Sequence, residues 1–387
     1  MILRFFIFLI LFVSTSYAEL ITVNQSGTAD YADLQLAINA AHDDDVIWIQ
    51  GGIYPKISID KPLTLVGGPR PLIEADDYNG SYYQDHVINA LGPGYGKLVF
   101  ANIATGGSTN GLYTASQSAV RVNGFDQFHV VESEIKAPQW DFLLGGAQGN
   151  YAISTSVPYV FIQSSYIEAQ HAATDSCLSG GTAGLPAISS SGATTVVMDS
   201  VIKGGDGSDY CQYGEPPFPM PCPCNSGIGI AGAALTANNL IYSNSEFVPG
   251  KGAQIGFYDE LTEWQAWGKQ NDAKMFEASS VEYLSNRLYA DSPFVLASSW
   301  GLNIKSSSTT QSDALIGSFG SPGALQIPQG LKFLDTSNLF YNQTISGQAN
   351  HIDWIVSDVE IGDQLFAQVY DGKAGKLTRP IQLVVLP

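Results

Sequence analysis

The chain has 387 residues, with 36 acidic against 17 basic side chains and a formal charge of −19. A field of that sign repels nucleic acid and anionic membrane surfaces, so neither is expected as a partner. Charged residues make up 14% and hydrophobic residues 45%, with 40 glycines, a balance that excludes disorder and points to a β-rich, turn-rich fold.

In chain order, Arg4, an apolar run over residues 5–13 and the small-residue pattern Ser16-Tyr17-Ala18 read as a secretory leader, residues 1–18, cleaved before Glu19. The run is too short for a stable anchor, and no later segment reaches about 18 apolar residues, so no membrane span is expected after cleavage. The mature chain keeps 16 basic and 36 acidic residues, a charge of −20. It is expected to be secreted, whether extracellular, periplasmic or at the cell surface, and monomeric.

Residues 20–23 then read as a short strand. Leu34, Ala37, Ile38 and Ala41 recur at helical spacing, with Asp33 placed to cap them. Asp43-Asp44-Asp45 ends the helix. Residues 46–49 (VIWI) form a continuous apolar strand of the kind buried on both faces. After Gly51-Gly52, residues 57–59 and 63–65 alternate with period two, and Gly67-Gly68-Pro69 turns the chain again.

Further on, the chain repeats itself. Segments 128–139, 160–171, 196–207 and 241–252 share one pattern: an apolar strand, Ser, any residue, an apolar residue, then a turn. The aligned serines are Ser133, Ser165, Ser200 and Ser245, spaced by 32, 35 and 45 residues, and segment 98–107 fits with Ala101 in the Ser position. Such a period marks a solenoid whose layers bury their apolar sides on one another. Buried Ser in a stack of this kind can form hydrogen-bonded ladders. The coil is expected over 19–257, a connecting or capping segment with a short helix over 258–289, and a small C-terminal β-domain over 290–387.

The run from Tyr31 to Gly68 resembles the opening of pectin-lyase-like right-handed parallel β-helix proteins. That resemblance implies an all-β coil capped at its N-terminal end by the helix, with Gly52-Ile53-Tyr54 as the following turn. It leaves activity open, because the superfamily holds lyases, hydrolases, esterases and adhesins.

The repeat also serves as a ruler for chemistry. Six residues after the aligned serines come Gln139, His171, Asp206 and Lys251, a polar column on successive layers. His171, Asp206 and Lys251, with Asp199 beside Ser200 and with Asp141, are the candidate catalytic residues. Carboxylates on adjacent layers meet the spacing glycoside hydrolysis needs, but so do most carboxylates in such a fold. Residues 119–122 and 139–143 resemble two pectin methylesterase motifs, which would make Asp141 the acid/base only with Trp140 as an insertion. The nucleophile motif is missing and no Arg follows until Arg287, so esterase activity is not expected. Asp43, Asp45, Asp76 and Asp77 are candidate calcium ligands, and calcium is the one candidate cofactor. Tyr258, Trp264 and Trp267 could stack on sugar faces or pack a core.

Cys177, Cys211, Cys222 and Cys224 fall close together in an exported chain and are read as disulfide staples of one long loop. Either Cys177 bridges Cys211, or both pair with the Cys222-Pro223-Cys224 unit. Zinc is disfavoured by the single-residue spacer. The expected function is extracellular binding or surface display with polysaccharide contact, and the alternative is a polysaccharide lyase or glycoside hydrolase.

Overall fold

The computed structural model describes residues 18–74, 86–106, 108–109, 118–137, 139–140, 150–172, 183–207, 231–252, 254–259, 263–269, 273–284, 288–289, 294–296, 300–304, 313–319, 325–327, 330–332, 339–345, 351–354, 363–371 and 376–386. The protein is all-β among these residues except for one helix, and long parallel sheets dominate it. No helix among them is long and apolar enough to cross a membrane.

The helix, α1 (Leu34–Ala40), starts where the sequence predicts. Asp33 is its N-cap and accepts the Leu36 N–H at 2.8 Å, while Leu34, Ala37 and Ile38 are buried. Strand Leu20–Val23 pairs in parallel with Val46–Ile49, which in turn pairs with Leu63–Gly67. The series continues through Lys97–Ala101, Gln127–Val131, Tyr159–Gln163 and the second half of Ile188–Met198. This is the first column.

A second column joins Ile57–Ile59, Ile88–Leu91, Ser118–Asn123, Tyr151–Thr155 and the first half of Ile188–Met198. The third runs from Ile53–Pro55 through Leu72–Glu74, Ala104–Gly106, Glu134–Lys136, Tyr166–Glu168 and Val201–Lys203 to Glu246–Val248. Leu235–Ser243 and Phe276–Tyr283 add two long strands in parallel to the first two columns. Parallel pairing therefore reaches Tyr283, inside the segment expected to connect. The short helix expected in that segment is absent among its described residues: Gln254–Asp259 and Glu263–Lys269 pair as an antiparallel hairpin instead.

One residue type per layer explains why the columns stay in register. Ser133 donates its hydroxyl to the Val131 carbonyl at 2.9 Å and accepts the Ile103 N–H at 3.1 Å. Ser165 does the same for Gln163 and the Ser133 N–H, and Ser200 for Met198 and the Ser165 N–H. Ser245 completes the ladder by accepting the Ser200 N–H at 3.2 Å. Each hydroxyl thus satisfies a buried backbone N–H that the sharp corner removes from the sheet. The alignment of Ala101 with these serines is corrected by two residues. Val131 pairs with Ala101, so Ile103 holds the Ser position, because that layer is shorter than the repeat suggests. Replacing Ser165 with Ala strands the buried Ser133 N–H and should cost about 1–3 kcal/mol in denaturant unfolding. An unchanged midpoint would show that the ladder carries no stability.

The residue before each ladder position takes a left-handed conformation: Asn102 at φ 53°, Glu132 at 46°, Ser164 at 51°, Asp199 at 49° and Asn244 at 47°. This bend sends the chain from the first column to the third. Inside, Leu, Ile, Val and Phe side chains stack layer on layer, with Phe100 and Phe128 edge to face at 5.3 Å.

The outward side of the first column is also buried. Val66, Ala101 and Val131 pack with Val384, and Phe161, Val196 and Met198 pack with Phe366. The cover is an antiparallel pair, Gln364–Asp371 with Lys376–Leu386, lying against that face. Continuous apolar runs such as Val46–Ile49 reflect this two-sided burial.

Candidate functional site

The three columns meet at three corners, and the chain treats them differently. Within one layer, Ser118–Asn123 reaches Gln127–Val131 in a few residues, and Glu134 follows Val131 almost at once. The connections from the third column back to the second are the long ones: 75–87, 107–117, 137–150, 169–187, 204–234 and 249–275. These six connections open at a single corner, and in a rigid scaffold such a loop cluster is where binding residues concentrate; the other long connection, 24–45, carries α1 at the N-terminal end.

His171, Asp206 and Lys251 sit on that corner in successive layers, as the ruler predicts. The Asp206 N–H donates to His171 Nδ1 at 3.1 Å, and the Asp206 Oδ2 carboxylate oxygen lies 3.3 Å from the same nitrogen. The Lys251 N–H donates to Asp206 Oδ1 at 2.6 Å. Backbone bonds align the layers beneath: Ala172 N–H to the Asp206 carbonyl, 2.9 Å, and Gly207 N–H to the Lys251 carbonyl, 3.0 Å. Close approach requires glycine here, because a Cβ on Gly205 would fall 2.2 Å from the Gln170 carbonyl oxygen.

The His171 and Asp206 side chains are 50% and 38% exposed, so both can reach a ligand. Accepting the Asp206 N–H at Nδ1 leaves Nε2 as the N–H donor of the His171 ring. The arrangement offers one donor or acid, one anchored carboxylate and one cationic residue in a row.

Asp199 does not belong to this row. It lies at the bend between the first and third columns, where its Oδ1 accepts from Asn244 Nδ2 at 2.6 Å and its Oδ2 receives Arg379 Nη1 at 2.5 Å. Arg379 is buried, so Asp199 serves as its counter-ion. No local signal could have found that pair across 180 positions. Asp141, Asp76, Asp77 and all four cysteines lie outside the described residues, as do the side chains of Gln139, Tyr258, Trp264 and Trp267. In sequence, Asp141, Asp76, Asp77 and the cysteines fall in the long connections of the same corner.

At the N-terminal end, Asp43 and Asp45 take separate partners. Asp43 accepts the Tyr95 hydroxyl at 2.7 Å, which holds that phenol above its ordinary value. Asp45 is buried and accepts the Glu19 N–H at 2.7 Å and the His42 N–H at 2.6 Å. Donor atoms of Glu19, His42 and Asp45 lie within 4.8 Å of one another.

A charged strip runs along the outer side of the third column. Lys136 and Lys203 lie 5.4 and 4.9 Å from the Tyr166 ring centre, and Glu134 pairs with Lys136 and, at 3.3 Å, with Arg70. The Lys136 hydrogen bond holds Glu134 below the usual carboxylate range. Each cation of the strip has a carboxylate partner, Lys203 with Glu168 at 4.0 Å, which leaves the loop-bearing corner as the better site. Comparison with known proteins finds no family model and no curated relative that matches this chain.

Proposed function

We propose that the protein is an exported right-handed parallel β-helix of the pectin-lyase-like class that binds an extracellular polysaccharide along the His171–Asp206–Lys251 corner. The three parallel columns, the Ser ladder and the N-terminal helix support the fold. The observation that carries the function is the coincidence of that polar row with the corner from which six long connections depart. Layers of parallel strands repeat about every 4.8 Å, so an extended sugar chain laid along the corner meets a new side chain at each layer. In this reading residues 290–387 form the C-terminal β-domain, disulfides among Cys177, Cys211, Cys222 and Cys224 staple one long loop, and the protein works as a monomer.

The His171–Asp206 pair also favours a second reading, a lyase or glycoside hydrolase in which it moves a proton. One experiment addresses both. A polysaccharide panel is run in affinity electrophoresis, and in parallel assayed for reducing ends and unsaturated uronides, with and without calcium. Retention by at least one glycan is expected, weakened about tenfold by Asp206→Ala, the usual cost of losing a hydrogen bond to a charged group. Turnover abolished by Asp206→Ala or His171→Ala would establish the enzyme reading. Retention unchanged in both variants, or no retention by any glycan, would sink the corner as a binding site.

A further inference from the structure

We infer that leader cleavage builds a structural ion pair, with the new α-ammonium of Glu19 docking onto the buried Asp45 carboxylate. The inference rests on the reading of residues 1–18 as a cleaved leader. Asp45 is 1% exposed, and its Oδ1 accepts the Glu19 N–H at 2.7 Å. That nitrogen is held in place: the Val46 N–H donates to the Glu19 carbonyl at 2.9 Å, and Leu20 pairs in register with Val46. Ala18 and Glu19 are both exposed, so the bond between them is accessible to a peptidase.

The local charge calls for a cation. Asp43, Asp44 and Asp45 are consecutive and the Glu19 carboxylate lies close by, while among the described residues the basic group within ion-pair distance of Asp45 is His42, with Nδ1 3.6 Å from Oδ2 and its side chain 79% exposed. Burial, and then repulsion from Asp43, push the Asp44 carboxyl up, with the charge of Lys97 acting on Asp44 in the opposite sense. In the precursor the Glu19 nitrogen is a neutral amide and offers only a dipole. A leader peptidase hydrolyses the Ala18–Glu19 bond with one water, whose oxygen goes to the Ala18 carboxylate and whose two protons go to the Glu19 nitrogen. The product is a full positive charge at an existing hydrogen-bond distance from a buried carboxylate. A charge-assisted hydrogen bond is about twice as strong as the neutral one it replaces.

The test uses the full mature chain in four forms: starting at Glu19 or carrying a Gly-Ala extension before it, each with Asp45 or with Asp45→Asn. EDTA is present so that no metal supplies the missing charge. With Asp45, the Glu19-start protein should melt about 2–4 °C above the extended one. With Asp45→Asn that gap should vanish, even though both Asn forms are less stable. Equal midpoints with Asp45, or a gap that survives Asp45→Asn, would overturn the ion pair. Mass spectrometry of the exported protein keeps the two failures apart: a start other than Glu19 overturns the cleavage reading itself.

Discussion

Between pH 6.5 and 4.5, the protein should lose stability at about 1.4 kcal/mol per pH unit through one residue, His129. Its ring is fully buried on the outer side of the first column. Desolvation, and then the charge of Lys97, lower its pKa from 6.5 to about 3, against a smaller opposing effect of the Gln382 hydrogen bond. Nδ1 lies 2.9 Å from Gln382 Oε1, and that amide is oriented by its own bond from Nε2 to Gln364 Oε1 at 3.0 Å. Nδ1 therefore carries the proton, and Nε2 lies 3.0 Å from Gln127 Oε1. Above pH 6.5 the ring is neutral in both folded and unfolded states. Below it, the unfolded chain binds a proton that the folded chain refuses until about pH 3, so stability falls through that window and the loss is complete below it.

Other groups can be separated from this effect. Asp30 and Glu134 are held below their ordinary values of 3.8 and 4.5, so their contributions are lost only below those values. Burial pushes Glu132 and Asp44 upward, which works in the opposite sense. The measurement is therefore a difference: urea unfolding of the protein and of His129→Gln across pH 4.5–7. The two stability curves should converge by roughly 3 kcal/mol over that range. Parallel curves would remove His129 as the acid-sensitive group.

Phe161→Ala should cost about 3–5 kcal/mol, the range for emptying a fully buried aromatic site. Phe161 is on the outer face of the first column, 5.5 Å from the His129 ring and 5.9 Å from Phe366, which it meets edge to face. Phe366 comes from the C-terminal pair of strands, and it is fully buried too. Phe366→Ala should therefore lose a similar amount. In a double-mutant cycle the two should couple by about 0.5–1.5 kcal/mol, since each single change already breaks the ring pair. Additive losses would show that the C-terminal strands do not pack on the parallel column in solution.

Much of this was legible in the sequence because it is local or periodic. Helix α1 announced itself through Asp33 and its apolar spacing. The serine ladder appeared as a repeated letter, since a corner with one buried N–H per layer demands one small hydroxyl per layer. The same ruler put His171, Asp206 and Lys251 on a common line. It failed at Ala101, where no serine marks the layer and the count slipped by two. Contacts across the whole chain left no trace at all. His129 sits in an apolar strand and looks like part of it. Asp199 looked like a neighbour of the polar row, whereas its partner, Arg379, arrives from a distant strand that no period connects to it.

That late strand has a consequence for how the molecule comes apart. In a stack where each layer touches only its neighbours, opening can begin at either end and travel inward one layer at a time. Here the C-terminal pair bridges layers that never touch directly. Gln364 Nε2 reaches Thr64 at 3.4 Å, Gln382 bonds with both His129 and Gln163, and Arg379 holds Asp199. Peeling off an end layer then means lifting a strand that is also fastened several layers further in. Such a cross-tie converts sequential fraying into a concerted event, and amide exchange in layers from Thr64 to Asp199 should share one opening rate instead of grading from the ends.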